Sequence, residues 1–295
     1  MRNVVTAILN VDRRIIYAIV LLCVALPLLF PLKIKFSPTR EVRDAYDDIQ
    51  ALEPGSVVLI SCDYGPASMP ETHPMFIALL HQCFRLKLRP IILTLVPDGP
   101  GLALHGLQGV LEARDAQGNK LYPELHSGVD YSYLGYKPGG SAVMLGIGQS
   151  FTATFPQDYA GNPTRPQPLF KEVQALGDVA YIFDIASVGY PEVWLPYAAA
   201  REKKPMSVSC TAVSVAQYYP YYASRQFRGL IGGMKGTAEY ELLTGTEQVL
   251  RRVPDATRGM DAQSLVHIFI VLSIVFANIL LLIDRRYKLA DRRAG

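Results

Sequence analysis

The chain has 295 residues, 50% of them hydrophobic and 19% charged, with a net charge of +3 and a mean hydropathy of +0.17. An average soluble domain carries about a quarter charged residues, and the composition excludes a disordered chain, a coiled coil and a disulfide-dense miniprotein. A mean hydropathy so near zero also excludes a polytopic transporter, because most of the chain must meet water.

In chain order, residues 1–14 are a short tail with three Arg against one Asp. No charge interrupts the sequence from Ile15 to Leu32, and roughly 20 mostly apolar residues suffice for a helix to cross the hydrocarbon core. A first transmembrane helix is expected over 15–34. Its far end has no small-x-small cleavage site, which makes it an uncleaved signal anchor. A second uncharged run, Leu265–Ile283, predicts a second transmembrane helix over 264–283. Residues 284–295 then form a basic tail, with Arg285, Arg286, Lys288, Arg292 and Arg293 against Asp284 and Asp291.

Basic tails stay cytoplasmic, whereas a long loop is translocated largely regardless of charge. The expected protein is therefore a two-pass protein of the plasma (inner) membrane, both termini cytoplasmic, with residues 36–260 as an extracytoplasmic domain. The basic excess sits in the membrane flanks, since residues 36–263 hold 19 basic and 23 acidic residues. Nucleic acid is not an expected partner.

Inside the domain, short apolar runs predict strands at Ser56–Cys62, Pro90–Val96, Tyr131–Leu134, Val179–Ile185 and Met206–Val213. Helical spacing is found over Thr72–Leu86, Leu102–Ala113, Leu169–Leu176, Pro191–Glu202, Ala216–Phe227 and Ala238–Leu250. Continuous apolar strands separated by helices imply an α/β fold with a doubly wound, mostly parallel, Rossmann-like sheet in three layers.

Open parallel sheets bind ligands beyond the carboxyl ends of their strands. Asp63, Lys137, Asp184 and Ser187 follow predicted strands and are the catalytic candidates. The competing explanation is that Asp and Ser favour strand ends and helix caps for backbone reasons. Catalytic motifs are absent. Ile185 stands where a G-x-S-x-G elbow around Ser187 needs glycine, there is no H-E-x-x-H, and Met234 and Gly236 break the phosphate-loop spacing of Gly232–Thr237. Neither a cofactor nor a metal is implied. Cys62, Cys83 and Cys210 sit in apolar runs without a C-x-x-C pair, and Cys23 lies in the first apolar run, so buried thiols are expected and not a disulfide framework.

Partner signals lie elsewhere. The 18-residue stretch Phe151–Pro168 holds Phe155 and Tyr159 among four prolines, which argues for an ordered flap over the rim or against another subunit. Tyr218, Tyr219, Tyr221 and Tyr222 form a tyrosine cluster suited to an interface. His267, Ser273 and Asn278 interrupt the second apolar run and suit helix pairing. The expected partners are other membrane-protein subunits or a second copy, the bilayer, and a small polar ligand. Missing catalytic motifs favour a non-enzymatic docking or ligand-sensing subunit of a membrane complex. A membrane-tethered hydrolase or transferase using the sheet rim is the alternative.

Overall fold

A computed structural model describes residues 12–34, 37–115, 117–250 and 252–294. The chain divides into two compact units, one of Lys35–Thr257 and one drawn from Met1–Ile34 and Arg258–Gly295.

The larger unit is built on a six-stranded sheet of β1 (Val57–Asp63), β2 (Arg89–Thr94), β3 (Ser132–Tyr136), β4 (Tyr181–Ala186), β5 (Met206–Cys210) and β6 (Gly229–Gly232). The strands are ordered β3-β2-β1-β4-β5-β6, and every pairing is parallel. That order is the Rossmann-type winding, with its switch point between β1 and β4. β1 and β4 are buried along their whole length, because helices cover both faces. Helices α2 (Arg40–Gln50), α3 (Met69–Arg85), α4 (Gly99–Leu111) and α7 (Gly233–Thr244) pack against Val58, Ile60, Phe183 and Ile231. On the opposite face, α5 (Ser141–Gln149), the Trp194 segment and α6 (Val215–Ala223) cover Leu59, Leu93, Ile182 and Val208.

Two of these elements depend on close approach. α2 buries only Val42, Ala45 and Ile49, one stripe on an otherwise charged helix. It lies directly on β6, where a Cβ added to Gly229 would meet Ala45 Cβ at 2.3 Å. Between β4 and β5 the helix Tyr190–Trp194 passes through a π-helical turn, Leu195–Ala199, into Ala200–Glu202.

The smaller unit corrects the expected anchor. Among the described residues one helix is long and apolar enough to cross a membrane, α8 (Asp255–Ala294), over Asp255–Arg286. The first apolar run forms only α1 (Arg13–Leu29), 17 residues with Pro27 inside. At 1.5 Å per residue that is about 26 Å, against a hydrocarbon core of roughly 30 Å. It exposes Leu21, Leu22 and Leu29, so it has a face for lipid without the length to span it. Its end is held within this unit, where the backbone N–H groups of Lys33 and Ile34 donate to the Asp261 carboxylate at 2.9 and 3.0 Å. The fold is thus a parallel α/β sheet domain with one apolar spanning helix, not two. Two crossings need a second spanning helix, which the described residues do not contain. The two-pass arrangement with both termini cytoplasmic, and the extracytoplasmic placement deduced from it, therefore do not hold.

Candidate functional site

Two of the rim candidates meet at the switch point. Register pairs Ser61 of β1 with Asp184 of β4, and strand alternation points Ser61, Asp63 and Asp184 to one face. All three are fully buried. Asp63 accepts from Ser61 Oγ at 2.5 Å, from the Leu95 backbone N–H at 2.6 Å and from Trp194 Nε1 at 3.3 Å. Burial pushes its pKa up to about 6, with those bonds opposing the rise. No donor among the described residues reaches either oxygen of Asp184. Its polar neighbour is the Asp63 carboxyl group, and burial followed by the Asp63 charge holds its pKa well above the carboxylate range. Two carboxylates can bond only through a proton, so this environment favours the protonated form of Asp184 beside Asp63. The pair is sealed under Trp194, itself fully buried.

Ser187 contributes its backbone N–H to the Asp63 carbonyl at 3.0 Å. The histidines are also structural in their contacts. Tyr64 Oη lies 2.9 Å from His73 Nδ1, and His105 stacks on His73 with ring centres 5.6 Å apart. Burial pushes His73 and His81 down to about 4, so both are neutral near pH 7. Among the described residues no group of three His, Cys, Asp or Glu is placed to hold a metal ion. Cys62, Cys83 and Cys210 are free and buried.

The open site lies at the carboxyl end of the β3 edge, where the structure brings Lys137, Phe155 and Tyr159 together. A cleft of about 590 Å³ is lined by Pro100, Tyr136, Lys137, Gln157, Tyr159 and neighbouring backbone. One wall is the 155–164 flap, which holds itself together without regular structure. The buried Asp158 carboxylate accepts from Asn162 N at 2.9 Å, Asn162 Nδ2 at 3.2 Å and Gln167 Nε2 at 2.9 Å. Thr164 Oγ1 closes the loop on the Phe155 carbonyl at 2.5 Å. The flap is stitched to β3 by the Tyr159 N–H on the Tyr133 carbonyl at 2.8 Å, and the two tyrosine rings meet in a tilted contact with centres 4.8 Å apart. Gly135, at φ +75°, leaves room for this contact, since a Cβ there would stand 2.8 Å from Tyr159 Cδ2. Lys137 Nζ sits 5.5 Å from the centre of the Phe155 ring, and it forms no ion pair among the described residues. Asp158 lines the cleft as well, but its oxygens are occupied within the flap.

Sequence reasoning named Lys137, Phe155 and Tyr159 for separate purposes and missed Tyr136, Gln157 and Pro100. The available signal was the adjacency of Tyr136 to Lys137 after a predicted strand, opposite a proline-rich aromatic loop.

The tyrosines of the cluster all have partners within the domain, although Tyr219 remains exposed. Tyr218 is buried in the core, and Tyr221 stacks on Phe227 with centres 5.2 Å apart. Tyr219 Oη donates to Glu41 at 2.8 Å and Tyr222 Oη to Asp44 at 2.6 Å, so these hydroxyls tie α6 to α2. On α8, Asn278 Nδ2 donates to the Ile274 carbonyl of its own helix at 2.8 Å. Ser273 lies in a shallow apolar hollow with Phe269 and Phe276, and His267 is exposed.

Fold and site together define an α/β domain of Rossmann-like winding attached to a membrane by one apolar helix, with a cleft at the sheet's β3 edge. No family model, no curated protein and no solved structure matches the chain.

Proposed function

We propose that the protein is a membrane-anchored, non-enzymatic ligand-sensing domain whose small polar ligand sits in the cleft between the 155–164 flap and β3. The observation that carries this reading is a built, open cleft whose one ammonium, on Lys137, makes no ion pair among the described residues. The carboxylates that a hydrolase or transferase would use, Asp63 and Asp184, are fully buried, and Asp63 is bonded into the core by Leu95 and Trp194. Docking through the tyrosine cluster has less support, because its side chains already bind Glu41, Asp44 and Phe227.

The test is thermal unfolding of the full chain in mild detergent, with and without a deproteinised small-molecule extract of cells. A ligand at 100 times its Kd adds about 2.7 kcal/mol of stability. A rise in Tm that disappears in Tyr159→Ala and persists in Asp184→Asn supports the proposal. A rise that requires Asp184, or turnover of an extract component that requires it, moves the function to the rim carboxylates.

A further inference from the structure

We infer that the cleft takes a small organic anion carrying a flat ring, a class of which aryl phosphates and aryl carboxylates are the simplest members. This rests on the ligand-sensing reading above and narrows it to a chemistry. The anion preference comes from Lys137. Lys137 is partly buried, and its ammonium sits 5.5 Å from the centre of the Phe155 ring. A ring attracts a cation without neutralising it, which leaves a positive charge in the cleft to be met by a ligand. The carboxylate nearest in sequence among the lining residues, Asp158, accepts three bonds within the flap and is buried. Its three donors are neutral amides that fix it in the wall, so it makes no ion pair with Lys137, whose ammonium keeps its hydrogen-bonding capacity for a ligand.

The ring preference comes from the tyrosines. Tyr136 and Tyr159 line the cleft and remain 38% and 46% exposed, large for side chains on a fully folded wall. Tyr159 is held by its tilted ring contact with Tyr133 and by its own backbone bond to β3. A preorganised aromatic wall offers stacking area at little entropic cost. Gln157 and the tyrosine hydroxyls supply neutral hydrogen bonds for the ligand's remaining polar atoms.

A second hollow competes for simple anions. It is lined by Arg165, Lys171, Ser150 and Gln174 and has no exposed aromatic side chain. The two sites are therefore separable by what they ask of a ligand.

The experiment is calorimetric titration of the full chain in matched detergent with three probes: phenyl phosphate, inorganic phosphate and phenyl β-glucoside. Phenyl phosphate is expected to bind at least tenfold more tightly than either of the others. Lys137→Gln is expected to weaken phenyl phosphate about tenfold, the loss of one charge-assisted bond, and to leave phenyl β-glucoside unchanged. Tyr159→Ala is expected to erase the advantage of phenyl phosphate over inorganic phosphate. Circular dichroism of each variant separates lost binding from lost folding, and Tyr136→Ala repeats the ring test if Tyr159→Ala does not fold. Phenyl phosphate binding that ignores Lys137 but falls in Arg165→Gln or Lys171→Gln overturns the inference by placing the anion in the second hollow. Tight binding of phenyl β-glucoside, lost in Tyr159→Ala, overturns the anion class while leaving the ligand-sensing reading intact. Binding of none of the three overturns the ligand class, and the extract experiment then decides the broader reading alone.

Discussion

Asp184→Asn is expected to leave the protein at least as stable as the parent at pH 8, although it alters a fully buried acidic group. Burial and the Asp63 charge favour the protonated form of the parent carboxyl, whose polar neighbour is Asp63. An asparagine amide keeps a donor in that place and removes the titration. For Asp63, burial raises the pKa from 3.8 to about 6. A raised carboxyl pKa means the native state binds more protons than the unfolded one, so stability is full below pH 3.8 and falls as pH rises to about 6. At about 1.4 kcal/mol per pKa unit, that loss is roughly 3 kcal/mol. Asp184, raised as well by burial and by the Asp63 charge, adds to the decline, and Asp184→Asn should abolish its share. Asp63→Asn should behave differently. Its amide offers one acceptor where Leu95 N–H, Trp194 Nε1–H and Ser61 O–H now find two oxygens. Leaving one or two buried donors unmet costs about 2–4 kcal/mol, or about 5–15 °C in Tm for a domain of this size. Trp194 is the chain's one tryptophan, and its indole touches the site, so denaturation followed by its emission reads the pair directly. If Asp184→Asn destabilises at pH 8 as much as Asp63→Asn does, Asp184 is an ionised, partnered carboxylate and its protonated form is not the favoured one.

Glu241 offers a second pH test. It accepts from the Ala256 and Thr257 backbone N–H groups and from Thr257 Oγ1 at the first turn of α8, and burial raises its pKa from 4.5 to about 7. Stability should therefore fall between pH 4.5 and about 7, and melting curves of Glu241→Gln should lack that slope. Gly229→Ala should destabilise the domain by about 2 kcal/mol or more through the clash with Ala45, and Gly161→Ala, which meets no neighbour but sits at φ +85°, should cost about 1 kcal/mol from backbone strain alone; equal losses in chemical denaturation would disprove the tight packing of α2 on β6. Ending the chain at Thr257 removes the one helix among the described residues that is long enough to span and should release the protein from carbonate-washed membranes, whereas retention in the membrane pellet would restore α1 as an anchor.

Much of the sheet was legible because buried parallel strands are short, continuous apolar runs. The run Ser56–Cys62 is β1 shifted by one residue, and Val179–Ile185 becomes β4. Elements with little apolar content were not legible. α2 carries three buried residues among its charges, and β6 is Gly-Leu-Ile-Gly, a sequence whose glycines serve contact with α2 and Val215 rather than strand propensity. α5, with two glycines in nine residues, was likewise unread. The expected helix Ala216–Phe227 stops at Ala223, where the chain turns toward β6. The 18 uncharged residues of Ile15–Leu32 come close to the roughly 20 that a membrane helix needs, but Pro27 and the end at Leu29 shorten the first run below a span. The cleft was half legible. A proline-rich aromatic loop marked the flap, yet its apposition to Tyr136 and Lys137 depends on Gly135 and the Asp158 bonds, which no local pattern encodes.

The most direct measurement is hydrogen exchange of the full chain with and without phenyl phosphate, resolved by peptide. The expected result is slowed exchange confined to residues 134–137 and 155–162, with residues 63–68 and 187–190 unchanged. Protection at 63–68 and 187–190, with the flap unchanged, would place the ligand at the β1–β4 switch point and contradict the cleft as the site.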